Sequence, residues 1–261
     1  MKRFQLKVSL VVAALFVLLS AESTIKSQPP RAKTAKAPCA AKLADCPDQG
    51  CGKAFDPKLN ERKNITSLDG TPTAESITWM QKLDDPDNFS QGDDRTELTN
   101  LGEGKIITVV AYLLVARNEP SGESCNCGLT SPAETDNHLV LVKKSTVDQM
   151  QLSGTTSAAL SATLKQREPE STTAEFTPRV RLSHPNFTRA TMQPLIAATP
   201  QRALWVRVTG QLMFDSEHFL RKHLVRVNNW EIHPVMKMEY CTTGANCTIS
   251  GDAGWKSIDD L

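Results

Sequence analysis

The stretch "ALWVRVTGQLMF", residues 203–214, alternates apolar and polar side chains and holds a single glycine, Gly210. Alternation with a period of two marks a half-buried strand. A glycine inside such a run marks a bend or a close backbone approach. Reading outward from it gives the rest of a sheet. "GKIITVVAYLLVAR" (104–117) is a long unbroken strand, and "HLVLV" (138–142) is a second. "TAEFTPRVRL" (173–182) reads as a third, with Pro178 placing it at an edge or a bend. "SHPNFTRATMQPLIAAT" (183–199) carries Phe187, Met192, Leu195 and Ile196 at near-helical spacing. Ser183 is its expected cap, and Pro194 predicts a short or kinked helix. "LVRVNNWEIHPVMKMEYC" (224–241) supplies the last strand. Three strands, a helix and two strands, the first long and the fourth bent, predict a mainly β chain. The expected domain is a five-stranded OB-like barrel over 104–241, with one helix between strands three and four. A Ser/Thr/Ala/Gln-rich insertion interrupts it at 145–170.

The chain begins "MKRFQLKVSLVVAALFVLLSAEST". A basic lead, an apolar core too short for a typical span, and small residues after it predict a signal peptide over 1–23. An uncleaved N-terminal anchor is the alternative. Loss of Lys2, Arg3, Lys7 and Glu22 takes the formal charge from +1 to about −1. That balance argues against a general nucleic-acid or anionic-membrane binder. Residues 24–38 form a basic, Pro- and Ala-containing linker read as disordered. Its cations, Lys26, Arg31, Lys33 and Lys36, suit a polyanionic or envelope ligand. An irregular Cys-containing segment (39–103) follows, with a short helix expected at 74–83, and a tail (242–261) closes the chain. The expected address is secreted or periplasmic, with no stable transmembrane span in the mature form.

In an exported chain the seven cysteines read as disulfide partners. Cys241 and Cys247 flank the turn-rich TTGAN, where a local bridge is easy. Cys125 and Cys127 are too close to pair readily with each other, so each is expected to reach elsewhere, for instance to Cys39, Cys46 or Cys51. The odd count leaves one thiol over. The competing zinc reading lacks the paired CxxC or HxxxH spacing.

The segments "ESCNC", "DNH", "VRVTGQLMFDSEH" and "WEIHPVMKME" together resemble a family of exported bacterial proteins with no assigned activity. The resemblance spans most of the mature chain. It implies the barrel and the envelope address, and no catalytic residue is carried over from it.

Residues two apart on a strand share a face. Asp136 and His138 therefore form one carboxylate–imidazole pair, and Glu231 and His233 another, with Trp230 turned the other way. Glu175 of the third strand joins them, as do Asp215, Glu217 and His218 beyond the fourth. Two chemistries fit. Such a set can hold a divalent metal that activates water, with His138, His233 and Glu175 as metal ligands. Alternatively, His138 or His233 acts as a general base steered by Asp136 or Glu231. Arg207, Arg221 or Arg226 would then neutralise an anion. The main expectation is a non-enzymatic OB-like binding or interaction protein without a cofactor, with Arg207, Trp230 and Tyr112 as candidate ligand contacts. A metal-assisted phosphodiesterase or nuclease is the alternative.

Overall fold

The computed structural model describes residues 38–52, 56–87, 89–119, 122–150, 156–218 and 225–261. The expected signal peptide, nearly all of the basic linker, and Arg221 lie outside the described residues. The strands are β1 (Thr73–Ser76), β2 (Ile106–Asn118), β3 (Asn137–Val142), β4 (Thr172–Phe176), β5 (Leu204–Phe214), β6 (Trp230–Cys241) and β7 (Trp255–Ser257). The helices are α1 (Pro57–Lys63), α2 (Ile77–Met80), α3 (Thr96–Leu101), α4 (Lys144–Asp148), α5 (Ser157–Arg167), α6 (Pro178–Arg181) and α7 (Arg189–Ala198).

Five strands close into a mixed barrel in the order β2-β3-β4-β6-β5, with β5 returning to β2. All pairs are antiparallel except β4 with β6. Closure depends on the length of β2. Its first half, Ile106 to Leu113, pairs with β5, while Tyr112 to Asn118 pairs with β3. A register shift between Leu113 and Val115 separates the two halves. Such bulges bend a strand and let it serve two neighbours. The second bend falls at Gly210, where the β5–β6 register shifts. A Cβ there would stand 2.4 Å from the Pro234 carbonyl oxygen and 2.6 Å from the Ile232 side chain, so only glycine fits. Two short strands extend the sheet: β1 lies parallel to β2, and β7 antiparallel to β6.

Alternate residues of these strands fill the interior. Ile107, Val109, Leu113, Leu141, Val208 and Trp230 are all fully buried in one apolar cluster. The expected five-stranded OB-like barrel, mainly β, is present. Several local expectations are corrected. The strand expected over 173–182 stops at Phe176; Pro178 then begins α6, whose cap is the Thr177 hydroxyl accepting from the Val180 amide. The helix expected at 74–83 is β1 followed by the single turn α2. Apolar periodicity alone could not expose the β-pairing of 73–76 with β2. The helix between strands three and four starts at Arg189 under a Thr188 cap rather than at Ser183. Pro194 lies inside it.

Disulfide Cys39–Cys51 closes residues 38–52 on themselves, Cys46–Cys127 fastens them to the loop after β2, and Cys241–Cys247 closes the turn after β6. They fit an oxidising compartment. Cys125, expected among the bonded cysteines, instead keeps a free, buried thiol. No helix among the described residues is long and apolar enough to cross a membrane.

Candidate functional site: a buried carboxylate–imidazole cluster

Three barrel strands present polar side chains on their outer face. In β4, Thr173 and Glu175 point away from the core while Ala174 points in; in β6, Glu231 and His233 do so while Trp230 and Ile232 point in. Register completes the set, because His138 lies opposite Glu175 and Thr173 lies beside Glu231. This face is covered. Residues 38–52, α1 and the loop 122–136 form a roof, and the segment 225–229 packs beside it. Asn64 of the roof donates to the carbonyls of Asp48 and Cys125 at 2.8 and 2.9 Å. Asn60 holds the Gln49 carbonyl and the Ser124 hydroxyl.

Under this roof His233 is 0% exposed, Asp136 0%, Glu231 1% and Glu175 7%. Those values decide the chemistry, since a buried charge must find an opposite charge or a metal, or neutralise through a shifted pKa. His233 Nδ1 stands 3.1 Å from Glu231 Oε1 and 3.5 Å from Glu175 Oε2. Its Nε2 stands 3.6 Å from Asp136 Oδ2. The Glu231 contact places a ring proton on Nδ1, and Nε2 faces Asp136 Oδ2. Glu231 is itself held by Arg226, whose Nη1 donates to Oε2 at 2.9 Å and whose Nη2 donates to Asp215 Oδ2 at 2.5 Å. Asp215 also accepts from His218 at 2.5 Å. Asp136 Oδ1 accepts from the Asn126 amide at 2.9 Å.

Of the eleven buried side-chain polar atoms without a hydrogen-bond partner among the described residues, three belong to Asp136 (Oδ2), Glu175 (Oε2) and His233 (Nε2). Asp136, Glu175 and His233 each offer a ligand atom within 4.8 Å of the others. Buried polar atoms are normally satisfied, so three orphans in one cluster require an explanation. The electrostatics agree. Burial, reinforced by Glu231 and Asp136 against the opposing pull of His233, raises the Glu175 carboxyl to about 8. Burial drives His138 down to about 4, with Arg117 and Arg226 adding to it, so this imidazole is neutral. For His233, burial acts downward, but the Glu231 hydrogen bond and the charges of Glu175, Glu231 and Asp136 outweigh it and raise the pKa. Burial likewise pushes Glu231 up, and Arg226 overcomes it, holding the carboxylate below its usual range. Around the cluster Asp136, Glu175, Asp215 and Glu231 are buried together with the cations Lys63, Arg181 and Arg226.

The structure therefore assembles Asp136, His138, Glu175, Glu231 and His233 in one place. It puts the expected ligand contacts elsewhere. Trp230 is fully buried in the core and donates its indole N–H to the Asp84 carbonyl. Tyr112 is buried against Trp205, ring centroids 4.7 Å apart, in a second cluster. Arg207 is engaged by Glu239 through two hydrogen bonds, by Asp252 and by two carbonyls. Lys63, Glu123 and Asn126 were not foreseen as site residues. They come from the roof, and "ESCNC" drew attention only for its cysteines. Surface hollows beside α1 and α3, beside Trp205, and near Gln81 and Glu170 are not lined by Asp136, Glu175 or His233. No protein-family model, curated protein or solved structure matches this chain.

Proposed function

We propose that this chain is an exported OB-like binding protein whose ligand is a divalent metal ion held by Asp136, Glu175 and His233. The observation that carries the reading is that Asp136, Glu175 and His233 each offer a ligand atom within 4.8 Å of the others, while Asp136 Oδ2, Glu175 Oε2 and His233 Nε2 are buried without a hydrogen bond. Two carboxylates and a neutral imidazole suit zinc, manganese or iron better than magnesium or calcium, which favour all-oxygen sets. Glu231 would be the orienting partner that fixes the histidine tautomer, as outer-shell carboxylates do in metal sites. The location supports binding too. OB barrels use the face of strands two and three with the loops after strands one and four. Here those are β3, β4, 119–136 and 215–229, an argument from fold alone. The likeness to exported bacterial proteins and the disulfides support an envelope address.

The test is metal content. Oxidised protein is dialysed against zinc and then against metal-free buffer, and its metal is measured beside that of His233→Ala and Asp136→Asn. The reading predicts retained metal in the parent and loss in both folded variants. At about one hundred times Kd the metal should add ~2.7 kcal/mol to unfolding stability. A parent that retains none and gains no stability sinks it. One observation favours catalysis: the His138 side chain is 13% exposed at the rim. Phosphodiester or nucleic-acid cleavage by loaded protein, abolished in His138→Ala, would establish the hydrolase instead.

A further inference from the structure

Beside the triad lies a second set of ligand atoms. Glu123, Cys125 and Asp136 each place one within 4.8 Å of the others, and Asp136 belongs to both sets. Cys125 is the free cysteine, 2% exposed, two residues from Cys127, whose own sulfur is taken by Cys46. The loop is anchored on both sides of it. The Cys125 carbonyl accepts from Asn64, and Cys127, in left-handed backbone at φ 55°, is bonded to the N-terminal segment. The Cys125 thiol donates to Glu123 Oε2 at 3.3 Å.

We infer that the Glu123–Cys125–Asp136 set is a second, thiolate-containing metal position, with Asp136 bridging it to the ion held by Glu175 and His233. The inference rests on the metal-binding reading above and extends it to a two-ion centre. Asp136 suits the bridging role, because it is fully buried, sits in both sets, and has one oxygen held by Asn126 and the other unpartnered. The chemistry of Cys125 agrees. A bound metal deprotonates a coordinating thiol outright.

Positive charge on this side comes from Lys63, whose Nζ is 3.6 Å from Glu123 Oε2 and 3.9 Å from Glu217 Oε2. Arg181 is occupied by the carbonyls of Phe176, Pro132, Ala133 and Thr135. A thiolate selects borderline to soft ions such as zinc or cobalt over magnesium, calcium or manganese.

Cobalt(II) titration of the oxidised full chain tests this, read by a near-ultraviolet thiolate-to-cobalt charge-transfer band and by bound metal per chain. The expected result is about two ions per chain, as in two-metal sites, with the band present. Cys125→Ser should abolish the band and halve the stoichiometry while leaving circular dichroism unchanged, and Glu123→Gln should weaken the band-forming step. His233→Ala should remove the ion that gives no band and keep the band. One ion bound without the band, unchanged in Cys125→Ser, overturns the second position and leaves the first intact. No ion bound at all overturns both. A single ion that does give the band overturns the two-ion arrangement.

Discussion

The two faces of β3, β4 and β6 are built from alternating residues and are almost equally buried, yet they differ in kind. The inner face carries Leu139, Leu141, Ala174, Phe176, Trp230 and Ile232. The outer face carries His138, Thr173, Glu175, Glu231 and His233. Burying the first set stabilises the fold by ~25 cal/mol per Å² of apolar surface, with no geometric demand. Burying the second set is favourable only if each charge and lone pair finds its partner. Arg226 satisfies part of it, and Glu175 Oε2 and His233 Nε2 are left over, beside Asp136 Oδ2 of the adjoining loop. One face makes the barrel. The other carries the proposed metal site.

The comparison is broken most forcefully at Arg226. Arg226→Met leaves Asp215 and Glu231 buried without their cation and should cost about 3–5 kcal/mol in urea unfolding. Divalent metal should recover part of this loss, because it supplies positive charge to the same cluster. Leu113→Ala on the inner face should cost about 2–5 kcal/mol through transfer and cavity terms. Metal should add the same stability to it as to the parent. If metal rescues both variants equally, or neither, the two faces are not energetically distinct.

Opening the roof comes next. Removing the Cys46–Cys127 bridge as a double serine variant should cost about 2–4 kcal/mol. Bound metal should be lost while the barrel's β-sheet circular dichroism persists, since the bridge joins the roof segment to the loop carrying Glu123 and Cys125.

The smallest effect is on acid stability. Asp215, although burial acts upward, is held well below its usual range by the His218 hydrogen bond and by Arg226. The unfolded chain binds a proton near pH 3.8 and the folded protein does not, so this contribution is present above that pH and drains away as the pH falls below it. Asp215→Asn should flatten the acid limb of the stability profile. An identical acid limb in the variant would show that Asp215 is not held in this way.

Much of the barrel was legible because its signals are local. Alternation around Gly210, the unbroken length of β2 and the helix before β5 all sit within single segments. The pairs Asp136/His138 and Glu231/His233 were legible for the same reason, since a period of two fixes which residues share a face. The roof was not. Lys63, Glu123 and Cys125 reach the site through long-range disulfide and amide contacts that leave no periodic trace. Arg207, Trp230 and Tyr112 looked like ligand contacts because residue type suggests binding. Only the tertiary packing reveals that each already has a partner inside the protein.

The most direct measurement is anomalous diffraction at the zinc edge from crystals grown with zinc. The account predicts an anomalous peak bounded by Asp136 Oδ2, Glu175 Oε2 and His233 Nε2, about 2 Å from each. Electron density there with no anomalous signal, marking an ordered water hydrogen-bonded to those three atoms, would contradict it.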